Sequence, residues 1–390
     1  MDTADVVVIG AGVIGTSIAF RLSQQGRKVV LLDKGGPGSG ASGSCDKAIF
    51  LQSKRPGIHM ELALASRRMY DSLETELEAD LELKNDGGMV VIETPEQFEF
   101  MTGFIAKQQA AGISVSLLDA VEARDRQPCL SRHILGASFS PDDAEVNPLA
   151  LNTALFRAAA RHGAQLQTHT EVLSINTKRG RVNSVQTTRG NISTPVVINA
   201  AGPHAGAVGQ LSGVHIPVSP RRGTILISEA VAPAVHGNVL CAQYIAAKHL
   251  TGASNANTPP FGIGLSLGQT NSGNLLIGGS REFKDFEKPQ GTEVMTEIAK
   301  HASRIIPDLD KVRIIRSMTG FRPSTGDGLP IVGWAPDLEG YLVAAGHEGD
   351  GIALAPITGT LVRDLLDSHH HDNPFLPALS MDRFAASVHP

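Results

Sequence analysis

One hexapeptide constrains this chain more than any other feature. Gly10-Ala11-Gly12-Val13-Ile14-Gly15 lies between an apolar, β-branched run (Ala4–Ile9) and a segment (Thr16–Gln25) whose Ile18, Ala19 and Leu22 share one helical face. The run predicts a strand buried on both faces, and Gly26 is placed to stop the helix. Lys28–Leu32 is a second apolar run, closed by Asp33 18 residues after Gly15. G-x-G-x-x-G alone is a weak signal, since glycine-rich turns are common. Between a strand and a helix, with an acid ending the next strand, it is the fingerprint of a dinucleotide-binding βαβ unit. Gly10 permits the tight turn, Gly12 lets the backbone approach a pyrophosphate, and Gly15 lets helix and strand pack closely. The helix N-terminus favours phosphate charge. Asp33 is set to accept from ribose hydroxyls and to repel a 2′-phosphate. The motif does not choose between FAD and NAD. Pro37–Ser44 (PGSGASGS) is small and flexible enough to wrap a pyrophosphate and approach a flat ring, or to be a linker.

The remaining composition narrows the class. With 390 residues, 42% of them hydrophobic, the chain can bury a core of two domains or of one large discontinuous one. Charged residues are 19% without a run of one sign, which argues against disorder. A net charge of −5 and a single Trp leave no footprint for nucleic acid. Cys45, Cys129 and Cys241 lack any C-x-x-C spacing, so neither a disulfide framework nor a self-contained zinc or Fe–S site is expected. An odd thiol count suits a reducing compartment, and the cytoplasm is the expectation. The N-terminus lacks the basic region of a signal peptide, and no apolar stretch reaches the roughly 18 residues of a membrane span. His369–His371 reads as a solvated helix end.

Periodicity predicts helices over Gly57–Ala79, Pro95–Ala111, Pro148–His162 and Gly351–Asp367. Strands are expected at Gly88–Ile92, Glu171–Ile175, Val182–Thr187, Val196–Ile198, Val312–Met318, Leu329–Val332 and Tyr341–Ala345. Residues 214–279 look mainly β, with turns at Thr251–Pro260 and Asn271–Asn274. The expected fold class is α/β: a Rossmann-like nucleotide-binding domain (1–85, 145–215 and 311–390) with an inserted β-rich α+β substrate domain (86–144 and 216–310).

Six segments then carry a resemblance: VVVIGAGVIG near the start, PGSGASG after Asp33, TEVLSI (Thr170–Ile175), VVINAAGPHA (Val196–Ala205), GFRPSTGDGLPIVG (Gly320–Gly333) and GHEGDGIALAPITG (Gly346–Gly359). In order and spacing, over nearly the whole chain, they resemble the FAD-dependent amine and D-amino-acid oxidoreductases that include glycine oxidase, monomeric sarcosine oxidase and D-amino acid dehydrogenase. The resemblance implies FAD contacts at Gly10, Gly12, Ile14 and Gly15. It places Asp33 and Lys34 at the adenosine ribose, and Ser42 and Gly43 at the pyrophosphate and ring side. Val172 would meet adenine through its backbone, with Ala200 and Gly202 on the adenosine side. Gly349, Asp350, Gly351 and Ile352 would present backbone N–H groups to the pyrimidine edge of the ring, where a helix N-terminus also stabilises negative charge. Gly320 stands where sarcosine oxidase has its flavin-linked cysteine, so noncovalent FAD is expected.

For the substrate, the resemblance places Arg322 as the carboxylate anchor, a task suited to a guanidinium fork. Tyr244 is either an aid to that grip or a core tyrosine. His347 lies in a turn beside the flavin or is bonded to backbone. Asp46 and Lys47 follow the small-residue loop and are candidates to face the ring. Gly349 replaces a second arginine of glycine oxidase, which casts doubt on glycine as substrate. CDKAIFLQSKRPG (Cys45–Gly57) and GLSLGQTNSGNLLIGGSREF (Gly264–Phe283) look most like the β subunits of opine oxidases and D-hydroxyproline dehydrogenases. Leu276 stands where sarcosine oxidase has its oxygen-activating lysine. The implied function is an FAD-dependent dehydrogenase of a secondary amine or D-amino acid, with partner subunits carrying a second flavin or an Fe–S cluster. The alternatives are a stand-alone oxidase that releases peroxide and a catalytically idle flavin-binding subunit. A transfer-RNA-modifying flavoprotein is disfavoured by the acidic balance.

Overall fold

The computed structural model describes residues 2–249, 260–287, 291–367 and 373–387. Thr251–Pro259 of the expected turn and the His369–His371 triplet lie outside them.

The apolar runs that frame the fingerprint build a six-stranded sheet. Its order is Ile331–Trp334, Tyr341–Ala345, Val197–Asn199, Val6–Ile9, Val29–Leu32, Gln165–Gln167. All neighbours are parallel except the first pair. The strands Val6–Ile9, Val29–Leu32 and Tyr341–Ala345 are apolar and buried at every position because both faces of the sheet are covered there. Val6 and Val8 point to the helices Val13–Gln24, Pro148–Arg161 and Gly351–Leu366, whereas Val7 and Ile9 point to a four-stranded sheet that supplies Ile175, Val182, Val185 and Ile192.

Helix Gly351–Leu366 lies against helix Val13–Gln24 at a contact that only small residues allow. Ser17 Oγ donates to the Ala355 carbonyl at 2.7 Å, and a Cβ at Gly359 would come 2.5 Å from that Oγ. Pro356 lies inside this helix and cannot donate to the Ile352 carbonyl four residues earlier. The buried Tyr70 hydroxyl, from helix Ile58–Leu77, donates to that carbonyl instead.

A second, eight-stranded sheet runs Ile314–Ser324, Ser219–Ala230, Asn274–Gly278, Ser266–Gln269, Asn238–Cys241, Gly88–Ile92, Gly136–Ser140, Ser116–Asp119. Helix Glu293–Ile305 covers one face through Val294, Ile298, Ala302 and Ile305. The strand Ile314–Ser324 was grouped by sequence with the nucleotide-binding segments, yet it pairs along its length with Ser219–Ala230 in this second sheet. That pairing puts Arg221 opposite Arg322 and Gly223 opposite Gly320, and residues directly opposed in an antiparallel pair share a face. The helices Glu293–Ile305 and Ala242–His249 were not anticipated; the second lies inside the stretch read as mainly β.

Tyr70→Phe should lower stability by about 1–3 kcal/mol, the cost of an unpaired buried carbonyl. Thermal unfolding of the single variant and of Tyr70→Phe with Pro356→Ala checks this. The alanine N–H can take over the Ile352 carbonyl, so the double variant should lose less than the single one.

Candidate active site

The two sheets meet over a cavity of about 900 Å³. Gly10, Gly12, Ile14, Asp33, Lys34 and Ser42 line one end; Cys45, Asp46, Tyr244, Gly320, Arg322, His347, Gly349, Gly351 and Ile352 line the other, and Val172, Ala200 and Gly202 belong to the same wall.

At the first end the backbone itself makes the cradle. Gly10 has φ +110°, and a Cβ there would lie 2.4 Å from the Ala200 carbonyl oxygen, so no side chain is tolerated. Gly15 does not line the cavity; it packs on the Gly10 carbonyl, as its role in helix–strand packing requires. Helix Val13–Gln24 has no cap from its own N-cap residue, Gly12, and no acid in its first turn, so its positive end faces the cavity. Ser42 Oγ accepts from Val13 N–H at 3.0 Å and ties the small-residue loop to that helix end. Asp33 accepts from the Ala11 and Gly35 N–H groups, both at 2.7 Å, and a carboxylate retains further lone pairs for ribose hydroxyls. Gly43 is not on this wall. A Cβ there would strike the Gly38 carbonyl at 2.2 Å, so it shapes the loop rather than touching the ligand. The glycine cradle, the open helix end and Asp33 together fit FAD.

At the second end helix Gly351–Leu366 also begins without a side-chain cap or a first-turn acid. Gly349, Gly351 and Ile352 line the cavity; Asp350 does not. Its N–H donates to the His347 carbonyl at 2.9 Å, and its carboxylate turns inward to Lys54 Nζ at 2.6 Å and His59 Nε2 at 3.0 Å. Asp350 therefore anchors the helix start instead of contacting a ligand. A Cβ at Gly320 would lie 2.8 Å from Ser44, which leaves no room for a flavin-linked cysteine. Cys45 donates to the Ser42 carbonyl, and burial pushes its thiol up, so it stays protonated.

Arg322 lies on the wall, folded over Gly223 and past Gly349, with Nη1 donating to the Ser280 carbonyl at 3.2 Å. It has no acidic partner among the described residues. Tyr244 is half-buried on the wall with the Arg281 guanidinium 4.2 Å from its ring centre. His347 lies on the wall too, but its Nε2 bonds to Thr358 Oγ1 at 3.0 Å, and burial pushes its pKa down to about 3. It is a neutral, structurally tied imidazole. Lys47 is not on the wall. Asp46 faces the cavity and accepts from Ser266 Oγ at 2.6 Å, whereas Lys47 turns away into a buried pair with Glu145 at 3.0 Å and the Gln269 carbonyl at 2.7 Å. Sequence reading missed Arg221, Arg281 and Glu348 around Arg322. The Arg221-Arg222 doublet was the available signal, because adjacent residues of a strand face opposite sides and one of the two must point inward.

Lys47→Met should remove about 3–5 kcal/mol of stability by stranding the buried Glu145 carboxylate. Chemical denaturation measures the loss, and the visible spectrum of bound flavin should not change. His347 has a depressed folded pKa, so its contribution is present above pH 6.5 and is lost as pH falls from 6.5 towards about 3. Denaturation midpoints followed across that range should fall less steeply for His347→Gln than for the unaltered protein.

Comparison with known proteins agrees with this geometry. Residues 5–365 match the FAD dependent oxidoreductase (DAO) family. Glycine oxidase of Geobacillus kaustophilus is 31% identical, with 93% of each chain covered. The hydrogen cyanide synthase subunit HcnC of Pseudomonas aeruginosa is 28% identical over 93% of this chain and 92% of its own. The crystal structure of the Geobacillus kaustophilus glycine oxidase superposes with a TM-score of 0.87 at 29% identity, over 98% of this chain and 99% of that one. That of L-proline dehydrogenase from P. horikoshii gives a TM-score of 0.88 over 99% of both chains; at 24% identity it speaks to the fold alone. The chain therefore belongs to the FAD dependent oxidoreductase family: an FAD enzyme acting on C–N donors, with its flavin bound noncovalently.

Proposed function

We propose that the chain oxidises the C–N bond of a carboxylated secondary amine or D-amino acid, such as an opine or a D-proline derivative, as a dehydrogenase. In this reading it is the β-type subunit of a hetero-oligomer whose partners carry a second flavin or an Fe–S cluster. The observation that carries it is Arg322: a guanidinium on the cavity wall with no acidic partner among the described residues, on the strand that also presents Gly320.

FAD, when bound, supplies the two-electron acceptor for the hydrogen that leaves the carbon beside nitrogen. The protein's own task is to bind, orient and tune the amine. Arg322 grips the carboxylate and fixes which carbon faces the ring end. Gly223 leaves the space into which the Arg322 guanidinium folds, and Gly320, opposite it on the sheet, lets Ser44 approach the strand. The guanidinium field around Arg322 disfavours an ammonium and favours the neutral amine, the form that can be oxidised. Tyr244 covers the same region from the other side.

The dehydrogenase reading is supported by the wall itself. Among its described residues the one lysine is Lys34, at the nucleotide end, so no ammonium is at hand to stabilise reduced oxygen. Leu276, at the position of the oxygen-activating lysine, is not on the wall. A cytoplasmic setting belongs to the same reading, since Cys45, Cys129 and Cys241 are all free. No helix among the described residues is long and apolar enough to cross a membrane. A second reading, a stand-alone oxidase, is favoured by the even coverage of the glycine oxidase relative.

Anaerobic mixing with D-amino acids, N-alkyl glycines and opines should bleach the flavin, and the bleached state should persist when air is admitted. Rapid recolouring would establish the oxidase instead. Arg322→Ala should raise the apparent KM for carboxylated amines by roughly 30- to 1,000-fold, about 2–4 kcal/mol. An equal loss with a decarboxylated amine would remove Arg322 from the carboxylate.

A further inference from the structure

Around Arg322 the positive charge exceeds what the protein neutralises. Arg221 and Arg322 are directly opposite on one face of the sheet, an arrangement of like charges that costs stability. Arg281 joins them, its side chain only 1% exposed. Glu348 is shared between Arg221 at 3.2 Å and Arg281 at 3.4 Å, and its second oxygen accepts from Gly349 N–H. Two guanidiniums thus share one carboxylate, with Arg322 beside them. The next arginine along the strand is the internal control. Arg222 faces the other side of the sheet and has a carboxylate of its own, Glu282, which receives its Nε at 3.2 Å and its Nη2 at 2.7 Å. Among the described residues Arg222 thus has a carboxylate to itself, whereas Arg221 and Arg281 share one and Arg322 has none.

Hydrogen bonds tell the same story. Nε and Nη2 of Arg281 and Nε of Arg221 are buried without an acceptor among the described residues. Arg281 stacks on Tyr244 and Arg221 on Phe283, but stacking satisfies the face of a guanidinium and leaves its in-plane N–H groups unpaired. Burial and the neighbouring Arg281 draw the Arg221 pKa down to about 10, whereas Arg281, although burial disfavours its charge, is held above the usual guanidinium range by Tyr244 and Glu348. Arg221 and Arg281 lie in the layer behind Tyr244 and Glu348, which themselves line the cavity.

From this charge count and these orphan donors we infer that the substrate is a dianion, an amine whose nitrogen bears two carboxylate arms. Arg322 holds the carboxylate beside the oxidised carbon, and the second carboxylate lies at Tyr244, towards the free N–H groups of Arg281. This rests on the carboxylated-amine reading above and narrows it: an N-(carboxyalkyl) amino acid is selected over a proline derivative with one carboxylate.

The test is calorimetric binding to the FAD-loaded protein of two thioethers that cannot be oxidised at nitrogen. Thiodiacetate carries both carboxylates, and (propylthio)acetate matches its length with one. Thiodiacetate should bind roughly 10- to 100-fold more tightly at low salt. Arg281→Gln and, independently, Arg221→Gln should each shrink that preference, and added salt should shrink it as well. Equal affinities in the unaltered protein would overturn the second carboxylate while leaving Arg322 as anchor, as would a preference that both variants retain. If neither thioether binds and no carboxylated amine bleaches the flavin, the underlying reading falls and this inference with it.

Discussion

The contact between helices Val13–Gln24 and Gly351–Leu366 is the constraint on which the rest depends. Gly359 against Ser17 lets the two axes approach closely, and Ser17 ties them with a hydrogen bond to Ala355. Because they pack side by side on one face of the six-stranded sheet, their N-termini open on the same cavity. One end suits a pyrophosphate and the other suits a ring that gains negative charge, so one packing solution positions both ends of a dinucleotide flavin. Pro356 would weaken the second helix near that end, and Tyr70 compensates at the carbonyl the proline leaves free.

Electrostatics then divides the cavity. At the nucleotide end the positive charge is dipolar, made of backbone N–H groups, and Asp33 is held by two of them. At the substrate end it is ionic, made of guanidiniums in a partly buried wall where charges are screened less than at the surface. In the reading proposed above, an amine carried into that field is held by its carboxylate and discouraged from protonating, so binding and activation come from the same residues.

The nucleotide half was legible in the sequence because its chemistry is local. A strand, three glycines, a helix and Asp33 lie within 24 residues, from Gly10 to Asp33, and a backbone cradle leaves its mark as missing side chains. At the other end the motifs singled out Arg322 and Tyr244, which line the cavity, but also neighbours that do not. Lys47 and Asp350 show why. Each sits beside a wall residue, but the chain leading into strand Ala48–Ile49 turns Lys47 to Glu145, and the turn before the helix turns Asp350 to Lys54 and His59. One residue of register decides between a cavity and a core, and a linear motif does not carry that register through a loop. Arg221 and Arg281 come from two other strands or their ends, and only sheet pairing brings them to Arg322.

Buried charge is thus of two kinds in this molecule, and counter-charge separates them. Lys47 with Glu145, Lys54 with Asp350 and Arg222 with Glu282 are matched pairs away from the cavity wall, where an unmatched ion would cost several kcal/mol. The same cost applies to Arg221 and Arg281, which share the Glu348 carboxylate, and beside them Arg322 has no acidic partner among the described residues. This excess lies next to the one wall arginine without an acid among the described residues. The cost is recovered when an anion arrives, and recovered most fully when that anion brings two charges. On the inference drawn above, the cluster is a binding site whose excess positive charge is matched by its ligand.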